Sequence, residues 1–100
     1  MYELNGYMYA GSIAPVLEAI WVEPQPDHIL LVQFNDGEIR SYDVKPLLNL
    51  PVFQPLQDQS VFEQVSIVYG APTWLDGEVD IDPETIHASG TPLKSWPQPA

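Results

Sequence analysis

The sequence predicts an α+β fold, a small and mainly antiparallel β-sheet of about five strands with two or three short helices packed on one side. Three observations lead there. The stretch His28 to Val44, HILLVQFNDGEIRSYDV, reads as a central β-hairpin with an almost continuous apolar first strand. Further short runs of β-branched and aromatic residues stand on either side of it, each bounded by Pro, Gly or Asp-Gly. Between them lie a few short segments with helix-start chemistry, none long enough for a helical bundle.

In chain order, residues 1–14 form an aromatic N-terminal arm punctuated by Gly6 and Gly11, in which Tyr7-Met8-Tyr9 could make an edge strand or pack on a partner. A single domain is expected over residues 15–90, followed by a Pro-rich C-terminal tail, residues 91–100. Val16 to Glu23 is the first strand, with Leu17, Ala19 and Trp21 on one face and Val16, Glu18, Ile20 and Val22 on the other. Pro24-Gln25-Pro26-Asp27 closes it, because Pro offers no N–H to a ladder. His28 to Phe34, apolar on both faces, should be the central strand, paired antiparallel to the first.

At the hairpin tip two registers are open. A two-residue loop, Asp36-Gly37, sets Phe34 opposite Ile39; a three-residue loop, Asn35-Asp36-Gly37, slips the register by one and favours a type I turn followed by a left-handed Gly. After strand three, Glu38 to Asp43, a short helix is expected over Lys45 to Leu50, opened by Asp43 and Pro46 and stopped by Pro51. Phe53, Pro55 and Leu56 should plug the sheet edge. A second short helix follows over Asp58 to Glu63, capped by Asp58 or Ser60, with Val61, Phe62 and Val65 turned inward. Ser66 to Tyr69 and Thr73 to Leu75 are strands four and five. Val79 and Ile81 then alternate with acids, and Asp82-Pro83-Glu84 starts a helical turn that ends at Gly90.

Composition narrows the function classes. Fourteen Asp and Glu against three Lys and Arg give a formal charge of −11. Affinity for nucleic acid comes from cations that displace counterions, and Arg40, Lys45 and Lys94 cannot build the basic face required. Anionic membrane surfaces are disfavoured for the same reason. The charge is compatible with a basic protein partner, since opposite charge steers the encounter, and it equally serves to keep a small domain soluble. The absence of Cys removes disulfides, thiolate metal sites and cysteine nucleophiles and suits a reducing compartment. With no signal-peptide pattern and no apolar run near the roughly 20 residues that span a bilayer, a soluble cytoplasmic protein is expected.

The order of pieces resembles a small bacterial family, the domain of unknown function 2442. Those pieces are the apolar strand ending in Phe34, Asp36-Gly37, Tyr42-Asp43-Val44, Pro46-Leu47-Leu48 and Phe53 with Leu56. Asp58, Phe62, Val65, Thr73-Trp74 and Asp80-Ile81-Asp82-Pro83-Glu84-Thr85-Ile86 complete the series. The resemblance spans roughly residues 15–90; Gly77-Glu78-Val79 lengthens the run after Trp74, and the arm and tail lie outside it. It implies a small α+β domain with a mainly antiparallel sheet and carries no catalytic motif. It also implies, for some members, an arrangement resembling a toxin–antitoxin pair.

Candidate chemistry is sparse. Asp76, Glu78, Asp80 and Asp82 are the weak metal candidates, because alternate acids in an extended segment share a face and oxygen ligands suit hard cations. The EF-hand spacing fails: Gly77 is second rather than sixth, and the twelfth position is His87 rather than Glu. A solvent-facing acidic edge explains the same residues. His28 and His87, the only histidines, would serve a metal or a nucleophile only if other groups converged on them. Trp21 and Trp74 are expected in or beside the core, whereas Trp96 either packs back on the domain or is an interaction anchor, with Tyr7 and Tyr9 as the other interaction candidates. No catalytic residue and no cofactor are assigned. The expected function is a small acidic, non-enzymatic protein-interaction domain, with the acidic half of a toxin–antitoxin-like pair as one form of it. Two alternatives stand beside it: a small-ligand or metal-binding domain or enzyme, and a self-associating domain, such as a homodimer, that pairs through sheet edges.

Overall fold

The computed structural model describes residues 16–96. Seven strands form two antiparallel sheets, a four-stranded one in the order β1-β2-β3-β7 and a three-stranded one in the order β4-β5-β6. The first holds β1 (Ala19–Gln25), β2 (Ile29–Phe34), β3 (Ile39–Asp43) and β7 (Thr91–Leu93). The second holds β4 (Ser66–Val68), β5 (Ala71–Trp74) and β6 (Val79–Asp80). The α+β class stands, but seven strands in two sheets replace about five in one. The additional two, β6 and β7, are only two and three residues long, too short to show a period.

The central hairpin takes the three-residue loop. The Phe34 N–H donates to the Glu38 carbonyl (2.9 Å) and the Gly37 N–H to the Phe34 carbonyl (3.0 Å), so Gln33 rather than Phe34 faces Ile39. Gly37 has φ +89, the left-handed bulge position that a side chain resists. Strand β2 is central, with Leu30, Val32 and Phe34 buried on one face and Leu31 on the other.

Strand β1 corrects the expected alternation. Its register against β2 shifts between Ala19, opposite Phe34, and Trp21, opposite Gln33. This β-bulge at Ile20 puts Ala19 and Val22 on the core face and turns Trp21 out, 56% exposed. The strand also runs through Pro24 instead of stopping before it, which an edge strand tolerates because no further strand needs the missing N–H.

The core face is covered by the three-stranded sheet, by α1 (Gln59–Phe62), by α2 (Pro83–Ser89) and by 3-10 segments. The expected helix over Lys45 to Leu50 is a 3-10 turn, Lys45–Leu47, and a longer 3-10 run, Pro51–Gln57, follows it. Three prolines, Pro46, Pro51 and Pro55, remove the N–H groups that a continuous α-helix would use. Leu56 is fully buried and Phe53 half-buried, while Pro55 lies exposed instead of plugging the sheet. Asp58 caps α1, its carboxylate accepting from the Ser60 N–H (3.0 Å) and hydroxyl (2.7 Å).

Trp74 ties the layers together. Its ring is 1% exposed and lies nearly parallel to Phe62 at 5.9 Å, and its indole N–H donates to the Phe62 carbonyl at 2.8 Å. The segment assigned to the tail begins with β7, which pairs with β3. Gly90 before it leaves room for that approach, since a Cβ there would sit 2.7 Å from the Ile86 carbonyl and 3.0 Å from Arg40 Cβ.

Candidate functional site

Strand four ends at Val68, not Tyr69. Tyr69 (φ 50) and Gly70 (φ 76) form a two-residue turn between the paired residues Val68 and Ala71, the double left-handed geometry of a type I′ hairpin. The Gly70 carbonyl accepts from the Ala19 N–H at 2.8 Å, so this turn is fastened to the bulged start of β1. A Cβ at Gly70 would lie 2.7 Å from Glu18 Cγ, so the Glu18 side chain rests directly on the turn. Asn35 holds that stretch from below. Its amide donates to the Val16 carbonyl (2.8 Å), its side-chain oxygen accepts from the Glu18 N–H (3.0 Å), and its own N–H donates to the Glu18 carbonyl (2.9 Å).

Beside this junction runs an open groove of about 620 Å³. Val16, Val68 and Tyr69 give it apolar wall, and Glu18, Asp80, Asp82 and Glu84 line it with carboxylates. No Lys, Arg or His is among its lining residues. Tyr69 is 99% exposed, and Val16 and Ile20 keep more than half of their surface in water. A large apolar side chain left fully in water, rimmed by charge, is the kind of surface partners use.

The cations lie elsewhere. Arg40 pairs with Glu38 (2.9 Å) and donates to the Gly90 carbonyl at the end of α2 (3.3 Å), where the helix dipole favours positive charge. Lys45 bridges Asp43 (3.1 Å) and Asp27 (3.2 Å), and the Asp43 hydrogen bond foremost holds its ammonium above the ordinary lysine value. Partial burial pushes the Asp43 carboxyl up, but the Lys45 N–H and ammonium outweigh it and leave Asp43 below the usual carboxylate value.

The metal candidates do not lie along one continuous extended segment. A four-residue loop, Leu75 to Glu78, separates Trp74 from its partner Val79, and it breaks the extended run expected through Asp76 and Glu78. Asp80 and Asp82 line the groove, whereas Asp76 lines a smaller hollow that adjoins it at Val68, Thr73 and Gly77. Among the described residues no group of three His, Asp or Glu is arranged to hold a metal ion.

The histidines stand at opposite ends of β2, roughly 20 Å apart for six residues at the strand rise. His28 Nε2 donates to the Leu56 carbonyl (2.7 Å) and its ring rests on Phe62. His87 Nε2 donates to the Asp36 carboxylate (2.9 Å) while its ring meets the edge of Phe34. Trp96 packs back: it is half-buried, and its indole N–H donates to Glu23 on β1 at 3.3 Å. Tyr7 and Tyr9 lie outside the described residues.

In the sequence Tyr69 reads only as the last residue of a strand and Glu18 as a residue on one face of the first strand, so neither stands out as a site residue. The dipeptide Tyr-Gly was the available signal, because a Gly at the second position of a two-residue loop marks a type I′ turn.

A small α+β domain of two antiparallel sheets over one core, with an acidic groove at the junction of β1 and the β4–β5 turn, is the class of protein this chain represents. It belongs to the family described as protein of unknown function (DUF2442), whose profile matches residues 19–92. No curated protein and no solved structure matches it.

Proposed function

We propose that the chain is a non-enzymatic interaction domain whose groove between β1, the β4–β5 turn and the start of α2 receives a basic protein partner. One observation carries the proposal: four carboxylates and three exposed or half-exposed apolar side chains line a single groove that contains no cation. A formal charge of −11 extends the same field over the molecule and would speed the encounter with a positive partner. The acidic half of a toxin–antitoxin-like pair is one form this would take. Pairing through sheet edges is the poorer reading. Pro24 on β1 and Pro92 on β7 deprive both outer strands of the four-stranded sheet of a donor, and a second copy would bring a second charge of −11.

The test is co-purification from the native host at low and high salt, with tagged wild type beside the variant Glu18→Gln/Asp80→Asn/Asp82→Asn/Glu84→Gln. A stoichiometric basic protein present with wild type and lost both at high salt and from the variant is the expected result. A partner retained equally by the variant, or a wild-type chain that brings down nothing basic, refutes the proposal.

A further inference from the structure

We infer that Tyr69 is the anchor of this groove and that the group it receives is the guanidinium of an arginine side chain on the basic partner; the inference rests on reading the groove as the partner's docking surface. Two features of the turn point to it. Tyr69 holds a left-handed backbone, φ 50, which an L-residue with a bulky side chain adopts at a cost. Its side chain is 99% exposed, so no contact within the described residues offsets that cost. Strain held at an exposed position without internal compensation is characteristic of sites built for binding.

The chemistry beside the ring selects the ligand. Glu18 lies across the adjacent Gly70, with its carboxyl carbon 3.2 Å from where a Gly70 Cβ would stand. The turn therefore offers an aromatic face and a carboxylate one residue apart, inside a groove whose other charges are Asp80, Asp82 and Glu84. A guanidinium satisfies both at once, since its plane stacks on a tyrosine ring while its N–H fork meets a carboxylate. A lysine ammonium is a compact, strongly hydrated point charge and gains less from the ring. Charge decides between a basic partner and a second copy of the chain, because the copy would set carboxylates against carboxylates.

Dye-labelled hexa-arginine and hexa-lysine peptides, titrated by fluorescence anisotropy against the whole chain in low salt, provide the test. Wild type is expected to prefer hexa-arginine by about 2- to 5-fold, the factor an exposed cation–π contact supplies. Tyr69→Phe keeps the ring and the preference. Tyr69→Asn suits the turn better than tyrosine but has no ring, so the preference disappears while hexa-lysine binding is unchanged. Glu18→Gln weakens hexa-arginine more than hexa-lysine. A Tyr69→Asn variant that retains the arginine preference overturns the anchor; if the four-carboxylate variant still weakens both peptides, the docking surface survives that result. Four-carboxylate binding equal to wild type, or no binding of either peptide, overturns the docking surface and the anchor together.

Discussion

Replacing Tyr69 with Asn is expected to stabilise the fold, an unusual outcome for losing an aromatic ring. The side chain is 99% exposed, so its removal forfeits no burial. The backbone is the term that changes. Tyr69 and Gly70 sit at φ 50 and φ 76, the type I′ geometry for which Asn-Gly is the preferred pair. The left-handed conformation costs an ordinary L-residue roughly 1–2 kcal/mol, and Asn escapes part of that through its short polar side chain. A net gain of about 0.5–1 kcal/mol follows, which in a domain of this size raises Tm by about 2–8 °C. Thermal melts at neutral pH and urea titrations of both chains measure it, with an unchanged m-value showing that the native state, not the compactness of the unfolded chain, was altered. Tyr69→Ala serves as the control, since it removes the same ring without supplying a residue that favours the turn. A fall in Tm for Tyr69→Asn would mean that the ring holds the fold together in a way its exposure denies, and the strain argument would fail with it.

Other perturbations follow from the same structure. Trp74→Phe should cost about 2–4 kcal/mol by urea denaturation, because it empties part of a fully buried site and leaves the Phe62 carbonyl without its donor. Gly70→Ala should destabilise through both its φ of +76 and its approach to Glu18 Cγ (2.7 Å) and Cβ (2.8 Å); a double-mutant cycle with Glu18→Ala should recover only the part due to Cγ and Cδ, because the Cβ stays, and leave the conformational part whole. Acid titration should show a loss of stability tied to Asp36 and Asp58. The Glu38 N–H foremost, then His87, hold the Asp36 carboxyl below its ordinary value of 3.8, and the Ser60 hydroxyl and N–H do the same for Asp58. Their folded values lie below the unfolded ones, so their contribution is present above about pH 4 and is lost as pH falls through the lowered values. Melting curves from pH 7 to pH 2 should therefore show a shallower acid limb for Asp58→Asn than for wild type, and parallel limbs would count against the cap.

Sequence patterning reaches the central hairpin, a cap at Asp58 or Ser60, the burial of Phe62 and Trp74 and the alternation of Val79 and Ile81 with acids, because each depends on neighbours within a few residues. Three features depend on distant ones and were not legible. The bulge at Ile20 reverses the faces of β1, and it arises where the β1 start is held by Asn35 and Gly70, neither adjacent in sequence. The division into two sheets arises because the β4–β5 hairpin makes no ladder with β1, β2 or β3, and the strands that complete each sheet, β6 and β7, are two and three residues long, below the length at which alternation can be seen. The groove needs Glu18, Tyr69 and Asp82 to converge from three separate segments. Charge alone marked the molecule as acidic, and only the fold shows which of its carboxylates surround an apolar wall.

The left-handed residues separate structural strain from strain with another purpose. Five non-glycine residues among those described have positive φ: Asp27, His28, Tyr69, Leu75 and Asp76. Asp27 and Asp76 belong to a residue type that tolerates this conformation, and Asp27 also holds the Lys45 ammonium through its carbonyl (2.8 Å) and carboxylate. His28 gains the Leu56 carbonyl and the face of Phe62, contacts that offset its backbone cost. Leu75 covers more than half of its surface, at 40% exposed. Tyr69 alone combines a bulky side chain, a left-handed backbone and essentially complete exposure. A fold that needed only a tight turn there would be served better by asparagine. What the tyrosine adds is a ring presented to solvent beside Glu18, and the stability gained on replacing it measures what the fold gives up to present that ring.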